Sequence, residues 1–388
     1  MTTKVMKFGG SSLSTSEKIK NVAKILVRKK GDLNNIVCVV SAMGDTTDNL
    51  IALAKSLSSK PDRREMDQLL ATGETISISL LAMAIEELGE KAISLTGPQA
   101  GFQVKGRYGF GKIVDVKTDY LEKKLAEGYI VIVAGFQGLN AIGDIMTLGR
   151  GGSDTSAVAL AAKLKCDCEI YTDVAGVYTV DPRIHKTARK LEHLSYLETM
   201  EMAHLGAKVI DPRAVEIAQK YGVRLYIALN TANVMGTYID KEQNVEQSII
   251  SNISIQDNIL LVDKKLSEGE SISDLFSKLA GKDINIDVIS QRVIGDDNYI
   301  SFTSLIDEKD LISEISEDFS FRENVSKVSI IGNGMRNQPG VAAKVFSLFN
   351  ANKIDFYQVS TSEISISYII DTKNKEKVIK LLVKEFDL

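Results

Sequence analysis

Tryptophan is absent from this sequence, and its 388 residues include only three cysteines, three histidines and five prolines. The cysteines cannot all pair with one another, and Cys166-x-Cys168 has no second Cys or His pair at zinc-binding spacing, so we expect no structural zinc. The longest apolar runs are far shorter than the roughly 18 residues of a membrane span, and the first eight residues do not read as a signal peptide. These absences favour a cytoplasmic protein that folds without covalent cross-links.

No excess of positive charge is present either. Lys and Arg number 47 against 51 Asp and Glu, a net charge of −4, so bulk charge does not predict a nucleic-acid or membrane-surface partner. Hydrophobic residues make up 44% and charged residues 25%, which is typical of a globular protein. The length predicts two to three domains.

The first part of the chain, to about Ser251, alternates short apolar runs with helical patterns. Such runs are typical of strands buried on both faces, so we predict an α/β fold with a mostly parallel sheet sandwiched by helices. Ligands of such a fold bind at the carboxyl ends of the strands. The predicted strands are 5–8, 36–40, 92–95, 129–134 and 169–171, and the predicted helices include one opened by a Ser14-x-x-Glu17 capping box, 77–88 and 153–164.

From about Asn252 the pattern changes to a repeat of about 70 residues, in which Phe276-Ser277 matches Phe346-Ser347 and Ile284 matches Ile354. Each copy reads strand, helix, strand, which predicts two small α+β units. A chance match among common apolar residues is the alternative.

Two glycine-rich turns follow predicted strands. In Lys7-Phe8-Gly9-Gly10-Ser11-Ser12, the glycines let the backbone approach a phosphate and Lys7 supplies an ammonium, although an ordinary strand–turn–helix corner is also possible. In residues 148–156, three glycines lie within four positions around Arg150, whose planar guanidinium suits a carboxylate or phosphate. Asp154 there is a candidate to hold Mg²⁺, to steer Lys7 or simply to cap a helix.

A third segment, residues 171–183, presents an aromatic side chain, carboxylates and an arginine after a strand. Tyr178 is suited to stacking on a base and Arg183 to reaching phosphates, but a polar loop with a packed tyrosine fits equally well. Residues 41–47, Thr72-Gly73-Glu74 before a helix, and residues 206–208 complete the set. All of these follow strands or open helices, as a site at one sheet edge requires.

In order and spacing these motifs resemble those of the aspartokinase family, a branch of the amino acid kinases, over nearly the whole chain. The resemblance implies phosphorylation of the β-carboxylate of L-aspartate by ATP with Mg²⁺, the first step toward lysine, threonine and methionine. It also implies a kinase domain over 1–251 and two ACT regulatory units, over 252–325 and 326–388. In the family such units bind amino acids such as lysine or threonine and mediate dimer or higher homo-oligomer contacts.

The resemblance assigns roles to individual residues. Catalytic roles fall on Lys7, Arg150 and Asp154. Aspartate binding falls on Thr47, Glu74, Arg150, Gly151, Gly152 and Ser153. ATP binding falls on Lys7, Phe8, Gly9, Gly10, Ser11, Ser41, Thr172, Asp173, Tyr178, Asp181, Arg183 and Lys208. An effector site in the second ACT unit falls on Gln338, Pro339, Gly340, Val341 and Ala342.

Some positions depart from the family pattern. The first ACT unit lacks the usual Pro-Gly, with only Gly269 nearby, and Asp211 stands where histidine or glutamine is common. Two other functions are alternatives: another amino acid kinase, with acetylglutamate, glutamate or UMP as its substrate, and a catalytically silent amino-acid sensor.

Overall fold

The computed structural model describes residues 2–32, 35–207, 209–230, 234–241, 249–267, 269–295 and 297–388. Within these ranges the strands are β1 Thr3–Phe8, β2 Asn35–Val40, β3 Ala92–Leu95, β4 Phe102–Arg107, β5 Phe110–Val116, β6 Ile130–Ala134, β7 Gln137–Leu139, β8 Ile145–Thr147, β9 Cys168–Thr172, β10 His193–Ser195, β11 Leu225–Leu229, β12 Thr237–Asp240, β13 Asn252–Lys265, β14 Ile289–Ile294, β15 Asp297–Leu305, β16 Ser320–Ile331, β17 Phe356–Thr361 and β18 Ser365–Asp371. The α-helices are α1 Ser16–Asp32, α2 Thr46–Leu57, α3 Arg63–Glu86, α4 Asp119–Ala126, α5 Gly152–Leu164, α6 Tyr196–His204, α7 Pro212–Tyr221, α8 Ile272–Gly281, α9 Lys309–Ser313, α10 Val341–Ala351 and α11 Lys375–Phe386.

The chain forms two compact units. The first contains residues 1–178, 190–203 and 208–244, and the second contains 179–189, 204–207 and 245–388. The predicted boundaries at 251 and 325 stay predictions.

An eight-stranded sheet in the order β10-β12-β11-β9-β1-β2-β6-β3 forms the centre of the first unit. β1 lies between β9 and β2 and is parallel to both, so the predicted mostly parallel α/β sheet is confirmed. Alternate residues of β1 point to opposite faces. Met6 and Phe8 pack in a core with α1 and α3, whereas Lys7 points to the other face, toward α5.

Two local predictions about helices are wrong. Helix α3 begins at Arg63 rather than at Ser77, so Gly73 and Glu74 lie inside a helix and not before one. The helix predicted to open with a capping box at Ser14 begins at Ser16, and Thr15 Oγ1 accepts from the amide of Lys18 at 3.3 Å. A four-stranded sheet, β5-β4-β7-β8, was not predicted from the sequence because its strands are short or carry many exposed side chains.

Helix α3 is the one helix in the described ranges that is long and apolar enough, by length and composition, to cross a membrane. It packs against α1 and the sheet, and two carboxylates lie on its buried side, those of Asp67 and Glu74. These features are those of a core helix.

The second unit contains one six-stranded antiparallel sheet in the order β14-β15-β13-β16-β18-β17. Strand, helix, strand, strand, helix occurs twice, as β13-α8-β14-β15-α9 and as β16-α10-β17-β18-α11, which agrees with the predicted repeat. β13 and β16 are neighbours at the centre. Helices α8 and α9 pack over one apolar cluster and α10 and α11 over another, to which Ile253 of β13 also belongs.

Candidate active site

A cavity of about 300 Å³ opens in the first unit at the carboxyl ends of β1, β2 and β6. This is the sheet edge at which parallel α/β folds bind ligands. Residues from both predicted glycine-rich turns meet here. The lining consists of Lys7, Gly10, Ser41, Ala42, Gly44, Thr47, Glu74, Phe136, Gly149, Arg150, Gly151, Gly152, Ser153 and Asp154.

An ion pair forms one wall of the cavity. Lys7 Nζ lies 2.7 Å from Asp154 Oδ1, and both side chains are only 12% exposed. Of the three roles predicted for Asp154, the structure shows the contact with Lys7. Asp154 does not cap α5, because the residue at the N-terminal cap is Gly151 and no described side chain caps this helix. Asp154 therefore holds the ammonium at the mouth of the turn that follows β1.

The turn after β1 packs tightly on the turn after β2. The amide of Gly44 donates to the carbonyl of Gly10 at 3.0 Å, and a Cβ added at Gly10 would lie 2.5 Å from the carbonyl oxygen of Ala42. Only glycine fits at this position. The two turns thus form a continuous backbone surface beside Lys7, where a phosphate could approach amide groups closely.

Glu74 enters the cavity from the middle of α3. A Cβ at the preceding Gly73 would lie 2.8 Å from Cβ of Ala42, so glycine lets the helix approach the turn after β2. Glu74 is 3% exposed; its Oε1 accepts from the Ala42 amide at 2.9 Å, whereas its Oε2 has no hydrogen-bond partner among the described residues. Burial raises the pKa of this carboxyl group to about 7, so a cationic ligand would stabilise its ionised form.

Arg150 lies on the loop between β8 and α5. Gly149 and Gly151 flank it with φ angles of 78° and 66°, a left-handed conformation that glycine adopts without steric cost. Arg150 is exposed and forms no ion pair within the described ranges. Its guanidinium is thus available to a ligand at the cavity entrance, beside the first turn of α5, whose amides and dipole favour an anion.

The start of α7 supports this loop from outside. Arg213 Nη1 donates to the carbonyl of Leu148 at 2.9 Å, and Asp211 packs so closely on Gly151 that a Cβ there would lie 2.1 Å from Asp211 Oδ2. Burial raises the pKa of Asp211, and the nearby Asp154 contributes in the same direction while Arg213 opposes it. Asp211, which departs from the family pattern, is therefore a packing partner of the glycine loop.

Several residues predicted to bind ATP lie beside the cavity lining. Phe8 is buried and stacks on Tyr171 with ring centroids 4.8 Å apart. Because Phe8 is in register with Tyr171, Thr172, the last residue of β9, and Asp173 after it lie next to Gly9. Roles in nucleotide binding for this group stay predictions: Phe8, Gly9, Ser11, Thr172, Asp173 and Tyr178.

Other predicted site residues belong to the second unit or lie outside the described residues. Asp181 and Arg183 fall in the second unit, where Arg183 and Asp181 pair at 2.7 Å. Lys208 lies outside the described residues. The predicted effector segment is also in the second unit, where Gly340 has a φ angle of 104° and stands at the N-terminus of α10. Their roles stay predictions.

Sequence reasoning missed Phe136 as a lining residue. It follows β6 with a φ angle of 70°, which is rare for a bulky side chain, and its amide donates to Ser156 Oγ at 3.1 Å. Nothing in the apolar run at 130–136 distinguishes this residue from its neighbours in sequence.

Within the described ranges, no group of three or more His, Cys, Asp or Glu side chains could hold a metal ion. The acidic groups of the cavity, Asp154 and Glu74, are held by Lys7 and by the Ala42 amide. This donor set fits a magnesium ion that arrives on ATP phosphates better than one held by protein ligands.

Comparison with known proteins decides the family. Residues 2–229 match the amino acid kinase family and residues 328–386 match an ACT domain. Aspartokinase 2 of Bacillus subtilis is 45% identical over 397 residues, covering 99% of this chain and 97% of that protein. The chain belongs to the aspartokinase family. The aspartokinases of Geobacillus stearothermophilus, at 44% identity, and Corynebacterium glutamicum, at 41%, each cover 99% of this chain and 97% and 96% of their own lengths.

Solved structures agree with this family assignment. Aspartate kinase from Synechocystis is 35% identical with a TM-score of 0.58, covering 100% of this chain and 69% of that one. Escherichia coli aspartokinase III, solved with aspartate and ADP, has a TM-score of 0.84 at 21% identity, covering 99% and 100% of the two chains. The second match concerns the fold alone.

Proposed function

We propose that this chain transfers the γ-phosphoryl group of ATP to the β-carboxylate of L-aspartate, releasing ADP and 4-phospho-L-aspartate, the opening step toward lysine, threonine and methionine. One observation carries the proposal: a single cavity places the buried Lys7–Asp154 pair together with Glu74 and Arg150. The first pair suits a phosphate, and the other two suit the ammonium and carboxylate of a free amino acid.

The nucleophile needs no general base. A side-chain carboxyl group has a pKa near 4 and is ionised at neutral pH. Its oxygen forms the new bond to the γ-phosphorus, the bond from that phosphorus to the bridging oxygen breaks, and ADP leaves with the electron pair. The obstacle is repulsion between two anions, so catalysis is positioning and charge neutralisation.

Charge neutralisation falls to Lys7 and to the backbone of the two turns beside it. The ammonium of Lys7 is directed by Asp154, and the tight contact of Gly10 with Ala42 exposes backbone to the phosphates. Mg²⁺, carried by the nucleotide, would offset further phosphate charge. The amides at the start of α5 would favour the same anionic groups.

Recognition of aspartate falls to the opposite side of the cavity. The fork of Arg150 would bind the α-carboxylate with two parallel hydrogen bonds. Glu74 Oε2, buried and without a partner among the described residues, would accept from the α-ammonium. Hydroxyl groups of Thr47 and Ser153 line the same space. Binding both α-groups leaves the β-carboxylate as the one that reacts.

Hydroxylamine trapping tests the proposal, since an acyl phosphate reacts with hydroxylamine to form a coloured hydroxamate. The purified full chain is incubated with ATP, Mg²⁺ and one acid at a time: aspartate, glutamate or acetylglutamate. Phosphorylation of UMP, which gives no acyl phosphate, is measured separately by the release of ADP. Hydroxamate formation with aspartate alone is the expected result. Activity with another acceptor would assign a different kinase, and inactivity with all of them would favour the amino-acid sensor.

Regulation is proposed for the second unit. Gly340 is the N-terminal cap residue of α10, and no described side chain caps this helix. The amides of its first turn therefore suit the carboxylate of an amino acid bound at residues 338–342. The first copy has no Pro-Gly at the same place, so we expect a single effector class, lysine or threonine. We also expect a homodimer built through these units. A thermal-shift series with lysine, threonine and methionine tests the first point, and light scattering tests the second; no shift with any of the three would refute the effector site.

A further inference from the structure

A carboxylate that has no cationic partner among the described residues is buried beneath the Arg150 loop. Asp67 on α3 is 1% exposed. Its oxygens accept three hydrogen bonds, from the amides of Gly109 and Thr147 at 2.9 Å each and from Thr147 Oγ1 at 2.6 Å. A buried polar side chain is costly unless it is hydrogen-bonded, so these bonds are the reason that the residue is tolerated there.

The three donors fix the Arg150 loop at two points. Thr147 is the last residue of β8, so it sets where the loop begins. Gly109 is in the turn between β4 and β5, and a Cβ at Gly149 would lie 3.0 Å from the Gly109 carbonyl oxygen. The loop therefore rests on a turn that Asp67 also holds, immediately before Arg150.

Helix α3 carries both ends of this arrangement. Glu74 follows Asp67 by seven residues, which is two turns, so both side chains lie on the same face at about 10 Å along the axis. Glu74 lines the cavity itself, whereas Asp67 hydrogen-bonds to Thr147 and Gly109, which hold the Arg150 loop at the cavity. One rigid helix thereby fixes the position of the ammonium-binding group relative to the carboxylate-binding group.

We infer that Asp67 is a positioning residue for the selection of aspartate, because it holds Arg150 at the distance from Glu74 that a short α-amino acid requires. The inference deepens the proposed function and depends on it. It predicts a specific defect: displacing the loop lowers the affinity for every ligand that binds Arg150 and leaves the affinity for other ligands unchanged.

Two competitive ligands separate these cases. Succinate has both carboxylates of aspartate but no ammonium, and β-alanine has the ammonium and the reacting carboxylate but no α-carboxylate. In Asp67→Ala we expect the KM for aspartate and the inhibition constant of succinate to rise by a factor of about ten to a hundred, because a small misplacement of a binding group has effects of this size. The inhibition constant of β-alanine and the KM for ATP should stay within about twofold.

Matched variants complete the test. In Asp67→Asn the side-chain oxygen can still accept from both amides while its NH₂ donates to the Thr147 hydroxyl. The ratio of the inhibition constants of succinate and β-alanine should therefore be close to that of the unaltered chain. Asp62→Ala removes the N-terminal cap of the same helix, whose side chain accepts from Arg64 and Glu65, and should lower stability without changing the succinate to β-alanine ratio. If Asp67→Ala does not fold, Thr147→Val removes one of the three bonds and should change the ratio in the same direction.

An equal loss for succinate and β-alanine, or no loss for either, would overturn the inference. Failure of the proposed function would look different, because the unaltered chain would then form no hydroxamate with aspartate.

Discussion

Removing the ammonium of Lys7 is the most direct test of the phosphate site. The ion pair with Asp154 spans 2.7 Å and both side chains are 12% exposed, so solvent screens this charge weakly. At about 4 Å from a phosphate oxygen and an effective dielectric constant near 20, the attraction is about 4 kcal/mol. Water entering the vacated space would recover part of it, so Lys7→Ala should lower kcat by about 10²- to 10³-fold.

The KM for aspartate should change much less, since Lys7 does not contact the α-groups in the proposed arrangement. Steady-state rates measured at saturating ATP over a range of aspartate concentrations give kcat and the KM for aspartate. Because Lys7→Ala leaves Asp154 buried without its partner, which can cost about 3–5 kcal/mol of stability, thermal unfolding of the variant and of Lys7→Ala/Asp154→Asn must be measured alongside.

Lys18→Ala is the matched control. Lys18 is exposed and donates to the Ser11 carbonyl at 2.8 Å from the following helix, so it belongs to the same turn without lining the cavity. Its kcat should stay within about twofold, as expected for an exposed lysine. A folded Lys7→Ala with unchanged kcat would refute the assignment of Lys7 to the phosphate.

Three further variants test the rest of the site. Arg150→Lys replaces a planar fork by a point charge, and the KM for aspartate should rise by about tenfold or more with a smaller change in kcat; an unchanged KM would remove Arg150 from the α-carboxylate. The pKa of Glu74 is raised to about 7, so this group is protonated in the free enzyme at lower pH, and the KM for aspartate should fall as pH rises from 6 to 8. In Glu74→Gln the KM for aspartate should be higher and should not change with pH. The same pH dependence of KM in both proteins would contradict the assignment. Because the folded chain holds the Glu74 proton up to a pKa of about 7, the free enzyme should lose roughly 3 kcal/mol of stability as pH rises from about 4.5 to 7. Denaturant titrations should show this loss in the unaltered chain and not in Glu74→Gln. Gly73→Ala adds a methyl group 2.8 Å from Cβ of Ala42 and should lower the free energy of unfolding by about 1–3 kcal/mol, although alanine is the better helix former; a more stable variant would show that the contact relaxes freely.

The sequence contained enough to predict the sheet and the two turns that meet at the cavity. Apolar runs such as 36–40 and 130–134 are unambiguous because buried parallel strands contain little else. Gly10 and Gly149 were recognised because glycines that follow a strand and precede a helix favour a ligand-binding turn. Lys7 and Arg150 were then identified by their place beside those turns.

What the sequence did not reveal depends on contacts between distant segments. The segment 72–74 is predicted to precede a helix, whereas Gly73 lies inside α3 and packs against Ala42. Asp67 is one of many acidic residues, and only the approach of Gly109 and Thr147 distinguishes it. Local patterns do not contain such information, since it arises from chain segments that are about 40 and 80 positions apart.

The pairing of β13 with β16 in the second unit restricts how this chain can be divided. β16 runs from Ser320 to Ile331 and contacts β13 along most of its length. A fragment ending before β16 would leave β13 with an open hydrogen-bonding edge, a surface on which other chains aggregate. Neither copy of the repeat is therefore expected to be an independent folding module, and any ligand that orders one copy acts on a sheet that belongs to both.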